Sequence, residues 1–450
     1  MPRLLLITFH YPPRPTIGSL RPGALAKYLP QFGWEVLVVT PQVPAGPRPP
    51  AAVIETPYQD ALEKWKTRIG LDPHRALHAQ LKLSVSDKPR TKRVHTRVIE
   101  RVKSALAYPD LTMGWARFAI DAIKKIDVPI DAILSTAPPI TTHVIAREAR
   151  NILKCPWIAD FRDLWAKNLD NPNGALLRMF DRSLEKRWLS PADALVAVSR
   201  PWADRLQESY PEKPVHVITN GFDPEDFAGC STRGNSYFSI SYTGQLYAGR
   251  RDPTALFEVA HELIEEKLIE RERMRIRFYG PIEPWVQPLI ERYDLRGVVE
   301  VQGSIARSAA LERQQESQIL LLLGWANPQE TGQHTGKLFE YFGSRRPILA
   351  VGGVAGVLTE VLAETGAGVH ALSKAQLRQF LIVSYQEFRE RGEVRFRGNE
   401  SILMKYTHQA MARNFAALLD AQCHRDPEVH ASDPAVGLSR VGDGSGGSLR

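Results

Sequence analysis

The fold turns on the run Ile319-Leu320-Leu321-Leu322-Leu323 and, after a polar loop, on Gly332-Gln333-His334-Thr335-Gly336-Lys337-Leu338-Phe339-Glu340-Tyr341-Phe342-Gly343-Ser344-Arg345-Arg346-Pro347-Ile348-Leu349-Ala350-Val351. An unbroken apolar run of this length reads as a strand buried on both faces. Leu338, Phe339, Tyr341 and Phe342 recur at helical spacing, and Gly343 suits a helix end. Pro347 to Val351 reads as the next strand. The pattern is strand, glycine-containing loop, helix, strand. Such a loop aims backbone N–H groups and the positive end of the helix dipole at one point, which suits a phosphate. Glu340 lies within reach of a ligand held there, and a carboxylate accepts hydrogen bonds from paired hydroxyls such as a ribose offers. The same local pattern also fits an ordinary βαβ crossover with a solvated glutamate.

Working outward, the same grammar recurs on both sides. Leu4 to Phe9 reads as a first strand, and His10 to Ser19 as a stiff Pro-rich loop containing Gly18. Leu20 to Phe32 reads as a helix stopped by Gly33, and Trp34 to Thr40 as a second strand. Gly18 lets a ligand approach the backbone at the carboxyl end of the first strand, though it also fits a plain tight turn. Pro41 to Pro57 reads as loop, and 58–107 as a helical insert. Asp131 to Thr136 and Trp157 to Asp160 are strands, with a helix carrying His143 between them. Three polar residues at a strand's carboxyl end, here Asp160, Arg162 and Asp163, are more suggestive than the same residues on a helix face. The alternative is a structural Arg162 paired with Asp160 or Asp163, and a capping or core role for His143. Residues 228–237 read as a linker. The pattern then restarts with the strand Phe238 to Thr243, Gly244, and a loop holding Arg250 and Arg251 ahead of a helix. The expected organisation is an N-terminal Rossmann-like domain (1–228), a second such domain (238–399), a helix from 400 to 422 crossing back to the first, and a Gly/Ser-rich disordered tail (424–450). Two such domains facing each other would make a cleft.

Composition narrows the class. The chain has 450 residues, 43% hydrophobic and 24% charged, as in globular proteins with large cores. Three distant cysteines offer neither a disulfide framework nor metal spacing, which points to a reducing cytoplasm. No apolar stretch is long enough to span a bilayer. The net charge is +8, and 51–110 contain twelve Lys/Arg against seven Asp/Glu. Within 88–103, Val94, Val98, Ile99 and Val102 share one helical face opposite basic residues. That face could lie on an anionic membrane surface, or be an ordinary solvated face. Nucleic acid is not expected, because aromatics are not interleaved with the basic run.

Taken in order, several motifs resemble the retaining, nucleotide-sugar-dependent glycosyltransferases of family 4, which have the GT-B fold. They are Phe9-His10-Tyr11-Pro12-Pro13 with Gly18, Ser135-Thr136-Ala137-Pro138-Pro139, Ala159-Asp160-Phe161-Arg162-Asp163, Asn220-Gly221-Phe222-Asp223, Tyr242-Thr243-Gly244 and Lys337-Leu338-Phe339-Glu340-Tyr341. The resemblance covers about residues 3 to 422. It implies an α/β architecture with two parallel-sheet domains facing an interdomain cleft. The rear domain would bind the sugar nucleotide and the front one a sugar or lipid-linked acceptor, in surface polysaccharide or glycolipid synthesis. It implies donor contacts from Gly18, Gly244, Gln245, Arg250, Gly336, Lys337, Leu338 and Glu340, with Arg250, Lys337 and Glu340 closest to the chemistry. Ser135, Thr136, His143, Asp160 and Arg162 become acceptor-side candidates. Two departures stand out: Gln245 replaces an expected arginine, and Gly332 stands where a partner glutamate is expected. No Asp-x-Asp metal motif is present, no cofactor beyond the donor is implied, and Arg250, Lys337 and helix-end N–H groups can stabilise the leaving diphosphate. Retention without an evident enzymic nucleophile implies same-face attack, the leaving phosphate taking the acceptor proton. The rival readings are a nucleotide-sugar epimerase of the same fold and a non-catalytic scaffold.

Overall fold

The computed structural model describes residues 1–59, 108–169, 175–228, 236–281, 283–325, 327, 329–332 and 335–424. The basic insert, with its 88–103 stretch, and the tail beyond 424 lie outside the described residues. The chain divides into two compact units. The first takes 1–198, 202–218 and the chain from Ala412 onward, and the second takes 199–201 and 219–411.

In the first unit, seven strands are β1 (Arg3–Ile7), β2 (Glu35–Pro41), β3 (Ala52–Thr56), β4 (Ala132–Ala137), β5 (Trp157–Phe161), β6 (Ala194–Ala197) and β7 (Val215–Val217). They pair in parallel in the order β3-β2-β1-β4-β5-β6-β7. Strand order reverses between β1 and β4, which places the loops after them where open α/β sheets bind ligands. The helices are α1 (Leu20–Tyr28), α2 (Met113–Ile123), α3 (Thr141–Leu153), α4 (Ala175–Leu189) and α5 (Arg200–Ser209). Trp115, Trp157 and Phe161 are wholly buried in the core on one face of this sheet.

The second unit repeats the plan with β8 (Phe238–Thr243), β9 (Met274–Tyr279), β10 (Val299–Gly303), β11 (Ile319–Leu323), β12 (Ile348–Val351) and β13 (Gly368–Ala371). Their order is β10-β9-β8-β11-β12-β13, again parallel, with the reversal between β8 and β11. The helices are α6 (Thr254–Glu265), α7 (Val286–Arg292), α8 (Arg307–Glu316), α9 (Gly336–Ser344), α10 (Val357–Thr365), α11 (Lys374–Arg391) and α12 (Glu400–Leu403), then α13 (His408–Gln422). Odd residues of β11 bury into one core and even residues into the other, as a strand covered on both faces requires.

Several expectations need correction. Residues 52–56, read as loop, form β3, a parallel edge strand registered on β2 from Leu37↔Ala52 to Pro41↔Thr56. The helix expected over 20–32 is α1 followed by a 3-10 turn at Leu29–Phe32, because Pro30 cannot donate in a continuing helix. The single helix expected over 400–422 is α12, a 3-10 turn at Met404–Tyr406, and α13. Gly343 does not end its helix. Arg345, left-handed at φ 52, caps α9, while a Cβ at Gly343 would stand 2.1 Å from the Phe227 ring.

Candidate active site

At the carboxyl end of β8 the chain turns at Gly244, whose φ of +124 disfavours any side chain. A Cβ there would meet Cε of Lys337 at 2.4 Å. Lys337 belongs to the first turn of α9, and its side chain runs inward. Its Nζ donates to the Tyr242 hydroxyl at 3.3 Å and lies 4.8 Å from that ring's centre. Tyr242 in turn donates to the Gln245 carbonyl at 2.6 Å and accepts from Nη1 of Arg251 at 3.4 Å. One phenol therefore holds two cations. Lys337 and Arg251 are only 7% and 6% exposed, and neither makes an ion pair with a described residue. Nε of Arg251 is buried without a hydrogen-bond partner. Burial, then the nearby Arg251, holds the Lys337 amine well below its ordinary value of 10.5, with Glu340 opposing. Uncompensated buried cations are costly and call for an anion.

The helix start adds to this positive field. Thr335 precedes α9 without capping it, and its Oγ1 is buried and unpartnered. Gly336 and Lys337 occupy the first helical positions, where amides have no intrahelical acceptor. Leu338 is wholly buried and points into the core, so its contribution to a ligand is confined to its backbone.

The other donor candidates are placed differently. Arg250 is exposed, with its guanidinium 5.3 Å from the Trp325 ring centre, while Arg251, which the family resemblance passed over, is the buried one. Gln245 is exposed. Glu340 accepts from Nε of Arg307 at 3.0 Å, and Arg307 also reaches Asp226 at 2.9 Å. The glutamate missing at 332 has a neighbour in Glu330, which accepts from the Gly332 amide at 3.1 Å.

In the first unit the five acceptor-side candidates and Gly18 gather around the ends of β4 and β5. Asp160 is wholly buried and takes a bidentate contact from Arg21 at 2.9 and 2.8 Å, plus the Thr136 hydroxyl at 2.7 Å. Arg162 does not pair with Asp160. It donates to the carbonyls of Gly18 (2.6 Å), Pro138 (2.5 Å) and Ala137 (3.3 Å), tying the loop after β1 to the loop after β4. Burial lowers its basicity to about 10. Ser135 Oγ accepts from Trp157 Nε1 at 2.8 Å and lies 2.8 Å from His143 Nδ1. The serine hydroxyl donates to Nδ1 or accepts from it according to the tautomer, and the ring's other nitrogen is Nε2. That atom is buried and unpartnered, and burial drives the ring down to about 3, so His143 is neutral. His10, which sequence reasoning quoted but gave no role, sits against Gly18 and is lowered to about 4, first by burial and then by Arg162.

Two doubly wound parallel sheets in succession are the architecture of the GT-B fold. Residues 20–221 match the family described as glycosyl transferase 4-like domain. Comparison with curated proteins gives no match. Among solved structures, the chain is similar to a glycosyltransferase from Rickettsia africae (14% identity, 94% of this chain and 98% of that one, TM-score 0.55). It is similar to HepE of Anabaena, solved with UDP and glucose (12%, 94% and 100%, TM-score 0.58). A sucrose-phosphate synthase from Thermosynechococcus elongatus is a third (13%, 94% and 99%, TM-score 0.60). At these identities the likeness shows the fold.

Proposed function

We propose that the chain is a retaining glycosyltransferase that moves a sugar from a nucleoside-diphosphate sugar to an acceptor hydroxyl, the second unit binding the donor. The observation that carries this reading is the pair of buried cations, Lys337 and Arg251, sharing the Tyr242 phenol beside the uncapped start of α9. A diphosphate supplies the missing countercharge to both, and its developing charge on departure is stabilised by the same groups. The UDP bound to the structurally similar HepE supports a uridine nucleotide as the first donor to try. Glu340 would turn its carboxylate to the ribose, with Arg307 holding it in position. Same-face attack, with the leaving phosphate accepting the acceptor proton, gives retention without an enzymic nucleophile. Ser135, Thr136, His143, Asp160 and Arg162 shape the acceptor side. Asp160 and Arg162 act there by fixing loops, since their polar atoms are engaged within the protein. The acceptor is a sugar or a lipid-linked sugar, at the cytoplasmic face of a membrane.

Calorimetric titration with UDP tests the donor site. Wild type should bind, and Lys337→Met and Arg251→Ala should each weaken binding by about tenfold or more, as the loss of a charge-assisted contact implies. Nucleoside diphosphate released only when an acceptor is present would favour transfer over epimerisation. A wild-type chain that binds no nucleotide would remove both.

A further inference from the structure

Helix α4 carries a surface that the donor chemistry leaves unexplained. Leu177, Met179 and Phe180 in its first turns are 49%, 64% and 55% exposed, an unusual cluster of large apolar side chains. Farther along, Arg182, Lys186 and Arg187 are exposed, as is Arg178 at the start. None of these cations makes an ion pair with a described residue. The two acids of the helix are turned the other way. Asp181 is buried and accepts from the Tyr108 hydroxyl at 2.7 Å, and Glu185 is buried and accepts from the Ala166 amide at 3.0 Å and the Tyr210 hydroxyl at 3.2 Å. The solvent side therefore presents cations and hydrophobes with no carboxylate among them. Behind it stand aromatic rings, with Tyr108 5.7 Å from Phe180 and Trp165 stacked on Trp188 at 5.4 Å.

We propose that α4 is a docking surface for an anionic lipid bilayer, with Leu177, Met179 and Phe180 entering the acyl boundary and Arg182, Lys186 and Arg187 meeting lipid headgroups. An apolar tip beside a one-signed basic face is the arrangement an amphipathic helix uses to lie in a membrane interface. Charge complementarity selects an anionic bilayer over a neutral one and over a protein surface of mixed charge. None of its residues belongs to 88–103 or to the donor site. Among the described residues no helix is long and apolar enough to cross a membrane, so binding of this kind would be to the surface.

Co-sedimentation of the full chain with vesicles tests it, comparing pure phosphatidylcholine with the same lipid containing phosphatidylglycerol. Wild type should bind the anionic vesicles and be released by salt, and should not bind the neutral ones. The triple variant Arg182→Glu, Lys186→Glu, Arg187→Glu should lower partitioning by about a hundredfold or more, since each charge near the surface matters by roughly a factor of five. The variant Leu177→Ser, Met179→Ser, Phe180→Ser should lower it at any salt concentration. All these side chains are exposed, so unchanged melting temperatures confirm intact folding. No binding by wild type, or undiminished binding by both variants, overturns the proposal.

Discussion

Gly244 and Lys337 fit each other as backbone and side chain. The lysine ammonium occupies the space a Cβ would take, so Gly244→Ala should displace it while straining the turn. We expect UDP affinity to fall by about tenfold and stability by roughly 1–3 kcal/mol, measured by calorimetry and melting. An unaltered affinity would show that the ammonium position is irrelevant to the ligand. The neighbouring arginines separate by a backbone device. Tyr247, Ala248 and Gly249 have φ of 53, 53 and 86, and this left-handed turn, closed by Arg250 N to the Tyr247 carbonyl, swings Arg251 inward and Arg250 out. The family resemblance pointed to Arg250, because consecutive left-handed residues cannot be foreseen from Tyr-Ala-Gly. Arg251→Ala should therefore reduce turnover by about a hundredfold and Arg250→Ala by about tenfold or less, read from kcat/KM with a UDP-sugar donor. Equal losses would return the main role to both. Lys337 adds a pH signature. Its amine titrates below 10.5 in the free protein, and only the protonated form attracts the diphosphate. UDP affinity should weaken as pH rises through that lowered range, and Lys337→Met should abolish the dependence.

At the scale of an element, α4 has a buried side as telling as its exposed one. Glu185 is raised to about 7, chiefly by burial, against hydrogen bonds from Ala166 and Tyr210 that lower it. Below pH 4.5 the carboxyl is protonated whether the chain is folded or not. Between 4.5 and 7 the unfolded chain releases a proton that the folded one keeps, so stability falls as pH rises and levels off above. The loss should reach about 3 kcal/mol. Urea midpoints at pH 5 and pH 8 should show a smaller decline for Glu185→Gln than for wild type. Parallel declines would mean that the carboxyl is already ionised. Helix α9 was legible from its apolar residues at helical spacing, and β11 from an unbroken apolar run buried on both faces. β3 was not: Ala52-Val53-Ile54-Glu55-Thr56 is a short edge strand after a Pro-rich run, and only its pairing with β2 makes it one. The donor loop could be read from Gly336, Lys337 and Glu340, but the cation pair could not, since Tyr242 and Lys337 are 95 residues apart. Arg162 was legible as a strand-end arginine. Its three carbonyl partners come from loops that only the sheet reversal brings together.

For the molecule as a whole, the first unit is assembled from both ends of the chain. From Ala412 onward α13 belongs to it. Phe415 and Leu419 are wholly buried, and Leu418 nearly so. The Arg21 guanidinium lies 5.0 Å from the Phe415 ring centre, and Trp34 Nε1 donates to Asp420 at 3.0 Å. Arg21 also carries the buried pair with Asp160, so the end of the chain covers the residue that fixes the end of β5. Burying Phe415, Leu418 and Leu419 is worth about 1.5–3 kcal/mol each, an amount comparable with the whole stability of a domain. A fragment comprising 1–218 should therefore be poorly folded when expressed alone. Supplying 408–424 as a separate peptide should restore a cooperative melting transition. The variant peptide with Phe415→Ala and Leu419→Ala should fail to restore it. A fragment 1–218 that melts cooperatively without the peptide would show that the sheet and its own helices suffice, and that α13 is an ornament rather than a part of the core.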